Sequence, residues 1–224
     1  MLMYTLLLAV PVSYGQTVSP VIVDYMGKAE GSIALSNNTA VTMAVMLEPR
    51  SFSIAPDGTG LYRSLDPQIH VELSSMSLRL EPGHTQYVFY KARAKGLPAW
   101  FTISSTFLPT GHSSSLDFRI LLPHTVYIHS KKQSRKETIV VTRATYLKEA
   151  RKVTCEFAND TVDLKRVDDI RITSGTKAII SPGFPLLPGA KRHMEVDWKE
   201  TDPPRELIIH VDASTVSRGL STND

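Results

Sequence analysis

Hydrophobic and polar residues alternate along most of this chain, and apolar residues at helical spacing are scarce. Alternation with a period of two places successive side chains on opposite faces of a β-strand. Short runs of this kind, separated by Pro, Gly, Asn and Ser, predict strands at residues 18–25, 32–35, 41–47, 69–73, 85–94, 99–107 and 116–128. Residues 49–67 contain Gly58 and Gly60 and are predicted to form a long loop. About seven short strands within residues 18–128 indicate an immunoglobulin-like β-sandwich.

The same pattern starts again at Thr138, after the basic stretch at residues 131–136, and predicts six further strands. The two halves share short motifs. Pro188-Gly189 follows Pro82-Gly83 by 106 residues, and Asn159-Asp160-Thr161 follows Asn37-Asn38-Thr39 by 122. A longer loop at 49–67 accounts for the difference between the two spacings. The 224 residues therefore predict two tandem β-sandwich domains, at 16–132 and 133–216.

The two ends of the chain are interpreted separately. Residues 6–10 form an apolar run too short to cross a bilayer, and Ser13-Tyr14-Gly15 has the small-x-small pattern of a cleavage site. Residues 1–15 are predicted to be a signal peptide, although no Lys or Arg precedes the apolar run; the alternative is a buried first strand. Residues 217–224 are predicted to be a disordered tail. No other stretch is apolar enough to insert into a membrane.

Composition excludes several classes of protein. Hydrophobic residues make up 42% and charged residues 21%, and the formal net charge is +3, all ordinary values for a globular protein. No aromatic residues interleave with the basic cluster at 131–136, which argues against nucleic-acid binding and favours a solvated linker. Cys155 is the only cysteine, so no internal disulfide can form, and its apolar neighbours predict a buried strand position.

Candidate catalytic and metal-binding chemistry is sparse. His124 and His129 are the closest pair of histidines, and their odd spacing on a strand places them on opposite faces, which does not suit a shared metal. No nucleophile elbow, phosphate-binding loop or zinc-binding helix motif occurs. The sequence therefore predicts a protein that is not an enzyme and carries neither cofactor nor metal.

Residues 78–83 (LRLEPG) resemble the segment that leads into the fifth strand of the first domain in PapD-like periplasmic pilus chaperones. Other segments are similar to the family in the same order: 18–20 (VSP), 35–39 (LSNNT), 97–103 (LPAWFTI) and the run at 118–128. The similarity covers residues 18–132 and extends more loosely to 184–189 (FPLLPG).

The resemblance implies a periplasmic chaperone that binds secreted pilus-like subunits, with an outer-membrane usher as a further candidate partner. In this family the chaperone lends its seventh strand to a subunit that lacks one strand. Phe118, Ile120 and Leu122 alternate on one face of the corresponding segment and are the predicted donor residues. The alternative is that they face the core of their own domain, as any sandwich strand would require.

The resemblance also shows departures. The family binds the carboxylate at the C-terminus of the subunit through an Arg and a Lys, and the corresponding positions are Ile22 and Tyr127. Neither side chain can form a charge-assisted hydrogen bond to a carboxylate. Arg119, His124 and Lys28 are candidate substitutes. The second hypothesis is therefore a two-domain interaction protein of the cell envelope that has lost chaperoning.

The core of the first domain is predicted from the largest apolar residues in its strands. They are Leu80, Tyr87, Phe89, Trp100 and Ile103.

Overall fold

The computed structural model describes residues 15–110, 119–130, 139–212 and 214–223. The described residues form strands, and no helix among them is long and apolar enough to cross a membrane. The first half contains β1 Gln16–Ser19, β2 Ile22–Met26, β3 Ala29–Asn37, β4 Met43–Ile54, β5 Gly60–Ser64, β6 Ile69–Leu73, β7 Ser77–Leu80, β8 Thr85–Ala94, β9 Ala99–Pro109 and β10 Ile120–His129. The second half contains β11 Val140–Leu147, β12 Lys152–Ala158, β13 Lys165–Ser174, β14 Lys177–Leu186, β15 Lys191–Asp197, β16 Glu206–Val211, β17 Ser214–Gly219 and β18 Ser221–Asn223.

The first half is a sandwich of two sheets. One sheet has the strand order β1-β3-β8-β6, and the other has the order β2-β10-β9-β4-β5, with β7 also paired to β4. The single strand predicted at 18–25 is interrupted at Pro20, which lacks a backbone N–H. As a result, β1 pairs with β3 in one sheet and β2 pairs in parallel with β10 in the other. The prediction of a long loop at 49–67 is wrong, because β4 continues through Pro49 to Ile54. Strand β5 then pairs with the last five residues of β4.

The core of this sandwich is formed by inward-facing side chains of both sheets, among them Leu80 and Ile103, which are fully buried as predicted. The prediction for Tyr87 and Phe89 is wrong, because they are 62% and 63% exposed on the outer face. Strand β8 has the predicted bounds, but its inward residues are Val88 and Tyr90. Apolar residues occupy four successive positions there, so alternation alone cannot distinguish the two faces.

The second half is also a two-sheet sandwich, with strand orders β15-β12-β11-β18 and β14-β13-β16-β17. Its core includes Phe157, Trp198 and Cys155, all nearly or fully buried. Burial raises the pKa of the Cys155 thiol to about 12, so the side chain is a core residue and not a thiolate at neutral pH. The disordered tail predicted from residue 217 is wrong up to residue 223. There β17 pairs with β16, and β18 adds to β11 in parallel.

The repeated motifs seen in the sequence form the same structure twice. The side-chain amide of Asn37 donates to the carbonyl oxygens of Val41 (2.8 Å) and Leu80 (3.1 Å), and it accepts from the hydroxyl of Thr39 (2.6 Å). The Gly83 N–H donates to the Asn37 carbonyl (2.7 Å), and Gly83 has a φ of 71°, in the left-handed region that favours glycine.

In the second sandwich, the Asn159 amide donates to Asp163 O and Leu186 O, both at 2.8 Å, and accepts from the Thr161 hydroxyl at 2.7 Å. Gly189, with a φ of 69°, donates to the Asn159 carbonyl at 2.8 Å. Every group is offset from its counterpart by the 122 or 106 residues seen in the sequence. The 16 additional residues of the first half lie between the two motifs, in the stretch that includes β5.

The two sandwiches contact each other through a small apolar cluster of Phe52, Tyr127, Leu164 and Leu187, against which Trp100 packs. The indole N–H of Trp100 donates to the Phe52 carbonyl at 2.9 Å. The prediction that Trp100 lies in the core of the first domain is therefore wrong, since this half-buried side chain belongs to the cluster between the domains. The predicted boundary near residue 132 falls between β10 and β11, outside the described residues, and stays a prediction.

Candidate functional site

Over residues 120–123, one backbone edge of β10 is paired with none of the described strands. Strand β9 pairs along the other edge of β10 from Ile120 to Ile128, whereas pairing with β2 begins only at Thr125. The Thr125 N–H donates to Val21 O at 2.7 Å. Because alternate residues of a strand direct their backbone groups to the same edge, the N–H and C=O of Leu121 and the C=O of Pro123 lie along this unpaired part. Residues 120–123 of β10 are called the free edge below.

The predicted donor residues follow this edge. Phe118 lies outside the described residues. Ile120 and Leu122 are partly buried and pack against the core of the first sandwich, whereas Leu121 points to the opposite face and is 47% exposed. Ile120 and Leu122 therefore share one face, and that face is directed towards the space between the two sheets, as in the alternative given from the sequence. Their role as donor residues stays a prediction.

His124 follows the free edge and is completely buried. Its Nδ1–H donates to the Pro20 carbonyl at 2.6 Å, because a carbonyl can only accept. In the neutral ring Nε2 then accepts, and the Tyr90 hydroxyl donates to it at 3.0 Å. The Tyr25 hydroxyl donates in turn to the Tyr90 oxygen at 2.9 Å. A buried His124 cannot reach a ligand carboxylate, so it does not replace the missing family anchor.

The two family anchor positions do not face each other. Ile22 lies opposite Thr125 in the parallel pairing of β2 and β10, and it is 49% exposed. Tyr127 lies opposite Asp24 instead and is 2% exposed within the cluster between the domains. Burial raises the pKa of the Tyr127 phenol to about 12, so this group stays neutral.

An ion pair that the sequence did not indicate lies in the cleft between the two sandwiches. Arg166 of β13 contacts Asp24 of β2, with 3.1 Å between Nη1 and Oδ2, and its guanidinium lies 5.6 Å from the centroid of the Tyr127 ring. The Nε2–H of His129 donates to Asp24 Oδ1 at 2.9 Å. The partners of Asp24 lie 105 and 142 residues further along the chain, and no local motif connects them.

The cleft carries more acidic than basic groups. Besides Asp24, Arg166 and His129, it is lined by Asp168 and Asp212. The one permanent cation among these five side chains already contacts a carboxylate. A pair of free cations, such as the family uses for a carboxylate, is therefore absent from this described lining. Arg119 and Lys28, the other candidate substitutes from the sequence, are exposed and do not line this cleft.

Within the described ranges, no group of three or more His, Cys, Asp or Glu side chains is placed to hold a metal ion. His124 and His129, the closest pair of histidines in the sequence, have different partners. His124 bonds the Pro20 carbonyl and the Tyr90 hydroxyl, whereas His129 bonds Asp24.

Comparison with known proteins places the fold. No protein-family model and no curated protein sequence matches the chain. Solved structures do match over nearly its whole length. The YadV chaperone matches with a TM-score of 0.59 at 10% identity, over 92% of this chain and 99% of that one.

Two complexes give similar values. The Salmonella enterica SafA pilin in complex with the SafB chaperone matches with a TM-score of 0.56 at 12% identity, over 93% of this chain and 97% of that one. The CsuC–CsuE chaperone–tip adhesion subunit pre-assembly complex of Acinetobacter baumannii matches with a TM-score of 0.55 at 10% identity, over 94% and 100%. The chain therefore has the two-sandwich fold of the PapD-like fimbrial chaperones, as its sequence predicted.

Proposed function

We propose that this protein is a periplasmic, non-enzymatic chaperone that binds secreted pilus-like subunits by lending them the free edge of β10. The observation that carries the proposal is the stretch at residues 120–123, whose outer edge pairs with no described strand and whose backbone hydrogen-bonding groups lie beside Ile120 and Leu122. A subunit that lacks one strand would pair with these backbone groups, and the two apolar side chains would enter its open groove. Phe118 is proposed as the third donor side chain of this strand.

The fold supports this proposal, because the similar solved structures include a chaperone bound to a pilin and a chaperone bound to a tip adhesion subunit. A signal peptide at residues 1–15 would deliver the chain to the periplasm. An outer-membrane usher is proposed as a second partner that would receive the loaded chaperone.

The cleft favours a second candidate function, that of an envelope interaction protein without chaperone activity. Asp24 occupies the position opposite Tyr127, and Arg166 is already paired with it. If the protein is a chaperone, its subunits are held without the Arg and Lys anchor of the family. Binding would then depend on the strand edge and on groove filling alone.

Site-specific photo-cross-linking tests the proposal in the native cell. A benzophenone amino acid at Ile120 should form an adduct with a secreted subunit that mass spectrometry identifies. The matched control carries the same group at Ile180, which is 60% exposed on β14 of the second sandwich. Adducts at both positions, or at neither, would contradict binding at the free edge.

Charge substitution gives a quantitative prediction. Ile120→Asp places a charge on the groove-filling face and should weaken capture of that subunit at least tenfold, since an unpaired carboxylate is costly in an apolar groove (roughly 1.4 kcal/mol for each factor of ten). Leu121→Asp changes the adjacent residue on the opposite face and should leave capture within about twofold. Thermal melts of both variants separate lost binding from lost folding. Equal capture by wild type and a folded Ile120→Asp protein would exclude this strand as the site.

A further inference from the structure

His124 joins three parts of the first sandwich at the point where the free edge ends. Its ring bonds the carbonyl of Pro20, in the link between β1 and β2, and the hydroxyl of Tyr90 on β8. The next residue, Thr125, makes the first hydrogen bond between β10 and the chain leading into β2. The ring therefore connects the end of the free edge to the link between β1 and β2 and to the opposite sheet.

The two tyrosines of this network pack tightly against strand β3. Gly31 of β3 lies against the two tyrosine hydroxyls, and a Cβ at this position would come within 2.2 Å of the Tyr25 oxygen and 3.0 Å of the Tyr90 oxygen. The Tyr25 and Tyr90 rings are packed edge to face, with centroids 6.4 Å apart.

The described groups that bond the ring are uncharged. They are the Pro20 carbonyl, the Tyr90 hydroxyl of β8 and, behind it, the Tyr25 hydroxyl of β2. From β9, the Thr102 hydroxyl donates to the backbone carbonyl of His124 at 3.2 Å. Among the described residues, no Asp, Glu, Lys or Arg side chain bonds either the ring or the two tyrosines.

Protonation of the ring is therefore unfavourable in the folded state. Burial lowers the pKa of His124 below the ordinary value of 6.5, although the Pro20 carbonyl acts in the opposite direction. At a pH well above 6.5 the ring is neutral in both folded and unfolded chains, so its contacts contribute fully. As the pH falls below 6.5, protons bind the exposed ring more readily than the buried one. The equilibrium constant for keeping the ring in its site then falls by up to about tenfold per pH unit.

We propose that His124 is a proton-sensitive positioning residue: in its neutral form it holds the free edge of β10 in place for a partner strand, and on protonation it releases that edge. The role in partner binding rests on the proposed chaperone function, whereas the effect on the edge itself does not. When the ring gains a proton at Nε2, Tyr90 can no longer donate to it and must turn its proton towards Tyr25. The Nδ1–H bond to Pro20 survives protonation, but none of the described residues bonded to the ring supplies a counter-ion. The protonated ring is therefore more stable in water than in its site, and both ring contacts are lost when it leaves. A subunit held by the edge would then be bound more weakly in acid.

Amide hydrogen exchange tests the effect on the edge in the full chain without a partner. Protection of the Thr125 amide, corrected for intrinsic exchange, should fall about tenfold from pH 7.5 to pH 5.5. Protection of Val45, in the same core but on β4, should stay unchanged. His124→Gln, which keeps a donor and an acceptor but cannot titrate, should remove the pH response of Thr125. The matched control His129→Gln alters the histidine at the other end of β10 and should keep it.

The subunit captured at Ile120 supplies the second measurement. It should dissociate about tenfold faster from wild type at pH 5.5 than at pH 7.5, and at a pH-independent rate from His124→Gln. A fall in protection shared by Thr125 and Val45 would mean that acid unfolds the sandwich and would overturn the proposal. An acid response that persists in His124→Gln would also overturn it. If Thr125 responds as expected and no subunit is captured at any pH, the chaperone function fails and the role of His124 at the edge stands.

Discussion

Trp198→Ala is expected to lower the free energy of unfolding of the second sandwich by about 3–5 kcal/mol. Trp198 follows β15 and is 1% exposed within the core that includes Phe157 and Leu207. Its indole N–H donates to the Asp202 carbonyl at 2.7 Å, and its backbone N–H donates to the Arg151 carbonyl at 2.7 Å. The substitution removes the largest side chain of this core and leaves the Asp202 carbonyl without the indole donor.

The two tryptophans make the measurement selective, because the chain contains only Trp100 and Trp198. In Trp100→Phe, fluorescence during urea denaturation reports on the second sandwich alone and gives its reference stability. Trp198→Ala removes that reporter, so its unfolding is followed by circular dichroism and compared with the circular dichroism of wild type. Trp100→Ala, followed through Trp198 and through circular dichroism, should cost only about 1–2 kcal/mol, since Trp100 is half-buried at the contact between the domains. A larger loss for Trp100→Ala than for Trp198→Ala would contradict this assignment of core and interface.

The sequence predicted the bounds of strands better than it predicted which of their faces points inward. Strand bounds followed from alternation, as for β8 at Thr85–Ala94 and β16 at Glu206–Val211, because the pattern is local. The inward face of β8 did not follow, since apolar residues occupy both of its faces. Tyr90 faces inward, and its hydroxyl is satisfied by His124 and Tyr25, which lie 34 and 65 residues away.

The candidate site divides in the same way. Ile120 and Leu122 could be placed on one face from their spacing. The start of the pairing between β10 and β2 at Thr125 depends on where Pro20 interrupts the first strand. The contact between Asp24 and Arg166 depends on how the two sandwiches meet. Neither relation leaves a periodic or spaced signal in the chain. The repeated Asn and Gly motifs are the exception, because their separation by 122 and 106 residues connects distant positions directly.

Asn159→Ala is expected to cost about 2–4 kcal/mol in the second sandwich, and Asn37→Ala about 1–2 kcal/mol in the first. The two amides make the same set of bonds, but their surroundings differ. The bonds of Asn159 to Asp163, Leu186 and Thr161 are all buried. A buried carbonyl that loses its donor retains a desolvation penalty of about 1–3 kcal/mol.

Around Asn37, by contrast, the bonds to Val41 and Thr39 are only partly buried. Val41 is 39% exposed, so water can replace one of the lost donors. The chemistry of the two substitutions is identical, and the difference in cost measures the accessibility of the orphaned carbonyls to water.

The aspartate variants separate the donor role of the amide from its acceptor role. Asn159→Asp keeps oxygens that can accept from Thr161 but cannot donate to the Asp163 and Leu186 carbonyls, and it places a charge beside them. It should therefore be at least as destabilising as Asn159→Ala, whereas Asp160→Ala, at the exposed neighbouring position, should change stability by less than about 0.5 kcal/mol. Denaturation of each variant, followed by tryptophan fluorescence for the second sandwich, gives the comparison. A smaller loss of stability for Asn159→Asp than for Asn159→Ala would contradict this assignment. The bond that Asn159 accepts from Thr161 would then contribute more than the bonds that its amide donates to Asp163 and Leu186.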